Sequence, residues 1–470
     1  MKLIYGIKDR PKFGQVIVFA IQQLLAIMAA TLVVPVIINT SGSMPEGAPA
    51  MSSAAALFGA GIGTLVYLLF TRFKSPVFLG SSFAFIGSMC SAFAGAISAQ
   101  AGYLGLIIGA VCAGLVYVVI ALIVKFAGVK WISKLMPAVV IGPTVAIIGL
   151  SLAGNAIGDL QTAPAGGSSY VAILCGLVTL AVTMLCATFG KKMIRLIPFI
   201  MGILAGYAVA AIFTLIGNAA GIDALKVINF APLTNLFTDF SIKSIVSVPD
   251  FTFVEALKGI KDIDAAYIGT VAVAYAPVAF VVFAEHIADH KNLSTIIESD
   301  LLEEPGLHNT LLGDGVGSMA GAFFGGCPNT TYGESVGCVA ITGNASVITI
   351  LTTAVMAIVI SFLSPFVAFV NTIPSCVMGG VCMALYGFIA VSGLKMIQKV
   401  DLEQNRNLFV VSVILITGIG GLSVSFGKVT LTTIACALIL GILANVMLGV
   451  KDKKAAEEQA PESEDNTYEL

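Results

Sequence analysis

An acidic residue lies inside an apolar stretch in the second half of the chain. Glu334 stands in GGCPNTTYGESVGCVAITG, residues 325–343. An ionised carboxylate at the centre of a bilayer costs at least about 2.5–3.5 kcal/mol. Such a residue is retained where it binds a polar partner or moves a proton, so Glu334 is a candidate site residue.

Three further acids lie within or at the ends of apolar segments. Glu285 and Asp289 occur in VVFAEHIADHKNL, and Asp314 occurs in LLGDGVG. Glu285 and Asp289 are four residues apart and therefore share one helix face. We expect Asp314 either to brace a helix by hydrogen bonding or to support proton movement.

All three histidines lie in or just after the segment that carries Glu285. An imidazole beside a carboxylate suits a proton relay because it titrates near neutral pH. His290 is a candidate for this role, with a structural role as the alternative. His286 faces away from Glu285 on a helix and His308 is expected in a loop, so we interpret both as structural.

Composition places the chain in a membrane. Hydrophobic residues make up 58% and charged residues 11% of its 470 residues, with a mean hydropathy of +1.00, whereas soluble domains average about 45–50% and 25%. The net charge of −2 and the scattered basic residues argue against a nucleic-acid partner. The nine cysteines lack the spacing of a metal site, so neither a metal nor another cofactor is expected.

The apolar runs divide into blocks of membrane-spanning length. An all-α protein with fourteen membrane-spanning segments is therefore predicted. The blocks cover residues 14–37, 50–71, 77–97, 102–124, 131–153, 168–189, 196–217, 265–287, 309–325, 328–343, 346–371, 374–394, 406–424 and 429–449.

Charge predicts the orientation of these spans. Basic residues gather within 8–12, 72–74 and 191–195. If the number of spans is even and the N-terminus is inside, these residues lie on the cytoplasmic face, where short loops are usually rich in Lys and Arg. Both termini are thus expected in the cytoplasm, with the protein in the plasma or inner membrane. Residues 451–470 are expected to form a disordered acidic tail, and residues 218–264 a long outer loop with a short strand and an amphipathic helix.

An internal repeat predicts the architecture. FLGSSFAFIGS in the third block resembles CPNTTYGESVG in the tenth, aligned on Phe83 and Tyr332, and PAVVIGPTVAIIG from Pro137 resembles PSCVMGGVCMALYG from Pro374. Two halves of seven spans must be inverted relative to each other, and paired broken helices in inverted repeats indicate a transport site at the midplane. Chance similarity between glycine-rich segments is the alternative.

Both central segments are poor helix formers. Gly and Pro disfavour a helix, and the hydroxyl and amide side chains of GSSF and PNTT compete for backbone hydrogen bonds. Non-helical backbone survives at membrane depth only where it is buried in protein or lines a wet cavity. We predict short antiparallel strands in segments 3 and 10, each with a half-helix whose N–H groups can meet a substrate. Close packing of whole glycine-rich helices is the alternative.

The motifs are similar to those of a known family. ATLVVPVI, LGSSFAFI, AEHIADH, PGLH, PNTTYGE and VMGG with LYG resemble the nucleobase/ascorbate transporter family (nucleobase–cation symporter family 2) over nearly the whole chain. The resemblance implies a homodimer and proton-coupled uptake of uracil, with sodium as the alternative coupling ion. It also implies a core domain of residues 1–124 and 265–371 and a gate domain of residues 125–217 and 372–450.

The family's substrate contacts carry over to named positions of this chain. Phe83 is expected to stack on the base, while Glu285, Gly333 and Glu334 contact it. A pyrimidine dione presents ring N–H donors beside carbonyl acceptors, so carboxylates can accept the N–H groups while backbone N–H groups meet a carbonyl. Supporting positions are Asp289, His290, Asp314 and Tyr386 near the proton path, and Ser82, Tyr332 and Ser335 as further pocket residues.

Departures from the family pattern leave the substrate open. The family usually has Asn where Ser335 stands and a basic residue where Gly343 stands. Asp289 is typical of purine-transporting relatives and favours a purine. Glu334 stands where many of those relatives have Gln, and this difference favours uracil over xanthine or urate. An inorganic-anion exchanger or channel of the same fold is a further alternative, opposed by the acids at the site. Protease and metallohydrolase motifs are missing, so an enzyme is not expected.

Overall fold

Long apolar helices dominate the fold, as the composition requires. The structure, a computed structural model, describes residues 3–128, 137–191, 193–238, 241–426 and 429–458. The elements of the first half are α1 (Phe13–Thr40), α2 (Ser53–Phe70), β1 (Leu79–Ser81), α3 (Ile86–Ala94), α4 (Ala99–Ala127), α5 (Ala138–Ser151), α6 (Ala153–Gln161), α7 (Ser169–Phe189), α8 (Met193–Leu196), α9 (Pro198–Ala220), α10 (Ala231–Thr238) and α11 (Thr252–Lys258).

The second half begins with the same order of elements: two helices, a short strand, a half-helix and another helix. Its elements are α12 (Ala265–Ile297), α13 (Leu307–Gly325), β2 (Asn329–Thr331), α14 (Gly333–Thr342), α15 (Val347–Ser361), α16 (Ser364–Thr372), α17 (Ser375–Ile397), α18 (Asn405–Ile419), β3 (Val424–Phe426), β4 (Val429–Leu431) and α19 (Thr433–Glu458). Single 3-10 turns cover Phe83–Phe85, Asp223–Leu225, Ile242–Ser244 and Ile260–Asp262.

Eight of the described helices are long and apolar enough to cross a membrane. They are Phe13–Thr40, Ser53–Phe70, Ala99–Ala127, Ala138–Gln161, Ser169–Phe189, Pro198–Ala220, Ala265–Ile297 and Ser375–Ile397. Each predicted block overlaps a described helix, with residues 131–136 of the fifth block outside the described residues. The helical membrane class is thereby confirmed, while the fourteen crossings, the inversion of the halves and the core and gate division stay predictions.

Glycines set the distance between α2 and α13, the helices that precede the two central strands. A Cβ at Gly59 would lie 2.4 Å from the carbonyl oxygen of Gly321, and a Cβ at Gly63 would lie 2.8 Å from that of Gly317. Glycines four residues apart let two helix backbones touch, as is common in membranes. The helices run antiparallel, because Gly325 at the end of α13 meets Ala56 at the start of α2, while Gly313 meets Tyr67 near the end of α2. The chain therefore enters β1 and β2 from opposite ends of this helix pair.

The second predicted repeat pair, α5 and α17, also packs backbone to backbone. A Cβ at Gly149 would lie 2.3 Å from the carbonyl oxygen of Tyr386, and a Cβ at Gly393 would lie 2.3 Å from the nitrogen of Ala146. A larger side chain at either position would push the helices apart.

The outer segment 218–264 differs from expectation at one place. Helix α11 lies where the amphipathic helix is predicted. The strand predicted within 239–253 is wrong for the described residues, because Val246 forms only a single bridge, to Leu363. Leu363 is the extended N-cap residue of α16, and the helix begins directly after it, so a strand ladder cannot continue.

At the C-terminal end of the chain, α19 continues into the predicted tail 451–470. Residues 459–470 lie outside the described part of the chain.

Candidate functional site

Two short strands meet at the centre of the fold. β1 and β2 pair antiparallel with Gly80 opposite Thr330, and both strands are buried. A bond from the backbone N–H of Ser82 to the carbonyl of Pro328 (2.8 Å) extends the pair. The predicted antiparallel strands in segments 3 and 10 are confirmed, and their pairing satisfies extended backbone that would otherwise be unpaired at membrane depth.

The crossing depends on a glycine beneath an aromatic ring. A Cβ at Gly80 would lie 2.4 Å from the ring of Tyr332, so another residue type would displace that ring. The Tyr332 hydroxyl donates to the carbonyl of Ser81 (2.8 Å). The ring therefore fixes the start of α14 against β1.

Ser335 and Gln23 fix the same half-helix from the side of α1. Oγ of Ser335 accepts a hydrogen bond from the backbone N–H of Phe78 (3.0 Å) and another from the Gln23 amide. Gln23 also donates to the Ser335 carbonyl (3.3 Å). These bonds hold the turn that carries Glu334. A polar Gln23 inside an apolar block was a sequence signal for this role that the prediction missed.

A cavity of about 420 Å³ opens beside the crossing, within the range of about 300–1,000 Å³ that is usual for small-molecule pockets. One side, here called the acidic wall, consists of Glu285, Asp289, Thr331, Gly333 and Glu334. The apolar part of the lining, here called the apolar wall, consists of Val145, Ile148, Phe199, Leu385, Phe388, Ile389 and Met396. The lining therefore combines ionisable and apolar side chains.

Both glutamates of the acidic wall reach the cavity. Glu285 on α12 is exposed to it, and Glu334 is half-buried in the first turn of α14. One turn further along α12, Asp289 accepts a hydrogen bond from the Thr331 hydroxyl (2.9 Å). The cap residue Tyr332 makes no side-chain cap, so the first turn of α14 keeps N–H groups that no capping side chain occupies.

The cavity brings together most of the predicted site residues. Among its lining residues are Ser82, Phe83, Glu285, Asp289, Tyr332, Gly333 and Glu334. Phe83 is half-buried and its ring meets that of Tyr386 edge to face, with centroids 6.2 Å apart. The Ser82 hydroxyl has no hydrogen-bond partner among the described residues. The roles assigned to these side chains stay predictions.

The other predicted residues lie behind the lining. Ser335 is held as described above, and Tyr386 contacts the lining through Phe83. Nδ1 of His290 donates to the carbonyl of His286 (2.8 Å), while its Nε2 lies 2.6 Å from the Tyr67 hydroxyl. His286 stacks on His290 with centroids 4.0 Å apart. Both imidazoles are buried inside the protein.

Asp314 and His286 form a buried pair, with Oδ2 of Asp314 2.8 Å from Nδ1 of His286. The residues are 28 positions apart, a spacing that no local pattern reveals. The predicted structural role of His286 agrees with this contact. The loop predicted at His308 is wrong, because this residue lies in the first turn of α13; its structural role stays a prediction.

Sequence reasoning missed the apolar wall and one buried acid. Phe199 and Phe388 meet edge to face with centroids 6.0 Å apart, but apolar residues within apolar helices carry no signal that marks a pocket. Asp159 is only 8% exposed in α6. It lies beyond the predicted end of the fifth block, although the apolar segment continues to Gln161.

Comparison with known proteins identifies relatives over most of the chain. The model of the permease family Xan_ur_permease matches residues 14–426. The uracil permease of Bacillus caldolyticus is 37% identical over 450 residues, which is 95% of both chains. The uracil permease of Bacillus subtilis (strain 168) is 37% identical over 98% of both chains, and that of Escherichia coli (strain K12) is 33% identical over 98% of this chain and 97% of its own.

Solved structures share the fold at low sequence identity. The transmembrane domain of the cyanobacterial bicarbonate transporter BicA has a TM-score of 0.58 and 16% identity, covering 94% of this chain and 100% of that one. The murine anion transporter Slc26a9 has a TM-score of 0.60 and 12% identity, covering 95% of this chain and 69% of that one. These likenesses concern the fold alone.

Proposed function

The chain belongs to the nucleobase/ascorbate transporter family, and from this premise we propose that it is a multi-pass membrane permease for proton-coupled uptake of uracil by alternating access. The observation that carries this proposal is the convergence of Glu285, Glu334 and the start of α14 on one cavity. The printed names of the similar permeases support uracil as the solute.

The chemistry of the acidic wall suits a pyrimidine dione. Its ring N–H groups donate to carboxylates, and its carbonyl groups accept from the free N–H groups of α14. Phe83 provides an aromatic face for the ring. A solute lacking an N–H leaves a buried carboxylate unpaired, which discriminates strongly against it.

Proton coupling follows from placing several acids at one wall. Two carboxylates that face one small cavity disfavour each other's ionised form, so a proton held among Glu285, Asp289 and Glu334 eases solute binding. We propose that Glu285 both binds the base and takes up the coupling proton, with Asp289 and His290 close to its path. Sodium is the alternative ion and is tested below.

Alternating access requires one wall to move relative to the other. We propose that the halves are inverted repeats with cytoplasmic termini, that spans 1–4 and 8–11 form the core with the acidic wall, and that spans 5–7 and 12–14 form the gate with the apolar wall. A homodimer is proposed from the family alone.

A purine such as xanthine is the second candidate. It is favoured by Asp289, which lines the cavity, and by a volume that accommodates more than a single ring. An inorganic anion is disfavoured because Glu285 and Glu334 face the same cavity and repel it.

The deciding experiment is uptake of radiolabelled uracil into proteoliposomes. An inward proton gradient is compared with no gradient and with an inward sodium gradient, and excess xanthine, thymine or 5-fluorouracil is added as competitor. We expect accumulation with the proton gradient that pyrimidines block and xanthine does not. Accumulation of xanthine without uracil uptake would establish the purine alternative, and dependence on sodium would replace the proton as coupling ion.

A further inference from the structure

Three buried oxygens behind the cavity lack a protein partner. The Tyr117 hydroxyl, Oδ1 of Asp314 and the Thr330 hydroxyl have no hydrogen-bond partner among the described residues. The three residues are 4%, 1% and 3% exposed, respectively. Buried polar atoms in native proteins nearly always have a partner, either protein or ordered water. Two of these atoms belong to residues that line one small cavity, Tyr117 and Asp314, and together they indicate a bound polar species there.

The three oxygens belong to different elements, and two of the three residues share a cavity. Tyr117 on α4 and Asp314 on α13 line one small cavity of about 10 Å³ together with Ser318 and Asn329. Thr330 on β2 does not line this small cavity. Its hydroxyl lies close enough to Tyr117 and Asp314 to interact with both, and Thr330 lines the substrate cavity. A volume of roughly 10–15 Å³ holds one water molecule.

The other carboxylate oxygen of Asp314 is already engaged by His286. The Thr310 hydroxyl donates to the Leu307 carbonyl (3.0 Å), so its oxygen accepts from Nε2 of His286, 3.0 Å away. Nε2 therefore carries a hydrogen, and one further proton is shared between Nδ1 of His286 and Oδ2 of Asp314, 2.8 Å apart. Oδ1 is left to accept a hydrogen bond from another donor.

We propose that one water molecule binds between Tyr117, Asp314 and Thr330 and connects the substrate cavity with the His286–Asp314 pair. Water donates to Oδ1 of Asp314 and exchanges hydrogen bonds with the two hydroxyls, which gives it the two to four partners that a buried water needs. Tyr117 can approach this closely because Gly315 has no side chain, since a Cβ there would lie 2.8 Å from that of Tyr117.

The role of this water rests on the proposed proton coupling. A proton passes from the cavity side at Thr330 through the water to Asp314, and each oxygen on the path releases one proton as it takes another. The pair thereby receives or returns one proton without movement of a side chain. The titratable groups that face Asp314 are Glu285, His286 and Asp289 on α12, Tyr67 on α2 and Tyr117 on α4.

The first test is structural. An experimental structure at a resolution that shows ordered water is expected to have one density peak within hydrogen-bonding distance of the three oxygens. The same map of Tyr117→Phe is expected to lose or weaken that peak. A site with no density in the wild-type protein overturns the proposal, as does a peak with the short distances of a sodium ion.

The second test is functional and uses Tyr117→Phe, whose ring does not line the substrate cavity. Uracil binding at equilibrium is expected to stay within about twofold, while gradient-driven accumulation falls by about fivefold, the typical effect of one lost hydrogen bond. Tyr275→Phe is the matched control, because its buried hydroxyl also lacks a partner but its residue lines neither cavity. Equal accumulation by both variants overturns the proposal.

Thr330 provides an independent variant should Tyr117→Phe lower expression. Because Thr330 also lines the substrate cavity, uracil binding at equilibrium is measured beside accumulation. Thr330→Ser keeps the hydroxyl and Thr330→Val keeps the shape, so the valine variant is expected to lose accumulation relative to the serine variant at equal uracil binding and unchanged melting temperature. Equal loss in both overturns the proposed water. If wild-type proteoliposomes fail to accumulate uracil, the proposed function fails, and the density test still decides the water site.

Discussion

Residues 79–94 and residues 329–342 both run from a buried three-residue strand into a half-helix, yet only the second segment carries a charge. After β1 the chain makes a 3-10 turn over Phe83–Phe85 before α3 begins, whereas α14 begins directly after Tyr332. The first segment therefore offers an aromatic ring to the cavity, and the second offers Glu334 with a helix end. A duplicated backbone plan thus supplies two different kinds of contact.

Removing the charge of the second segment is expected to have the largest effect. Glu334→Gln keeps the shape and one acceptor but loses the carboxylate, and a hydrogen bond to a charged group contributes about 1.5–3 kcal/mol. We expect uracil affinity to fall about tenfold to hundredfold. Equilibrium binding of radiolabelled uracil to purified protein measures this change.

Glu285→Gln tests the other glutamate of the acidic wall in the same binding assay. In proteoliposomes this change is also expected to abolish the dependence of uracil uptake on the proton gradient. Glu304→Gln is the matched control because Glu304 lies in the connection between α12 and α13, away from the cavity. Full, pH-dependent uptake by Glu285→Gln would contradict its assigned role in coupling.

The contact between the two segments is the next target. In Gly80→Ala the new Cβ meets the Tyr332 ring at 2.4 Å, and overpacking of this kind costs about 1–3 kcal/mol. We expect a lower melting temperature and loss of uptake, measured by a thermal-shift assay and by proteoliposome transport. Gly87→Ala is the control on the same segment, since its Cβ would meet only Ile434 at 4.0 Å, and equal effects of both changes would refute the crossing as the cause.

The aromatic face of the first segment is expected to matter less than the charge of the second. Stacking of a base on an aromatic side chain contributes about 1–3 kcal/mol, and Phe83→Leu retains part of the apolar contact. Uracil affinity is expected to fall about tenfold, with the proton dependence of uptake unchanged. Binding and transport of Phe83→Leu, with the exposed Phe13→Leu as control, separate this effect from general loss of stability.

The smallest effect, on stability alone, is expected from an ion pair between the loop before β1 and the loop before α13. Lys74, ahead of β1, forms an ion pair with Glu304, ahead of α13, and their side chains are 35% and 72% exposed. The hydrogen bond and charge of Lys74 lower the pKa of Glu304. A carboxyl whose pKa is lowered by folding stabilises the protein above its unfolded pKa, and this contribution is lost as the pH falls through the folded pKa.

Glu304→Gln is therefore expected to lower the melting temperature slightly at neutral pH and to match the wild type in acid. Thermal unfolding of both proteins across that pH range measures the difference. A difference that grows towards acid would have the wrong sign for this ion pair, because the wild-type carboxylate is neutralised there.

The sequence predicted the central crossing well because its cause is local. The runs GSSF and PNTT disfavour helix wherever they stand, and the buried strands followed from that property. Glu334 and Glu285 were found because an acid in an apolar run is conspicuous. Contacts between distant residues were out of reach. Nothing in the spacing of Ser335 and Gln23, or of Asp314 and His286, reveals that they touch, so Ser335 was assigned to the pocket although it braces the half-helix behind it.

The apolar wall has a mechanical consequence for selectivity. Phe199, Leu385 and Phe388 form no directional bond with a solute, so this side can shift by a fraction of an ångström past a bound ring without breaking a hydrogen bond. Displacement along such a surface changes only dispersion contacts, which are individually weak. Exchange of α17 side chains is therefore expected to admit larger rings while the acidic wall, which we propose recognises the polar edge, remains untouched.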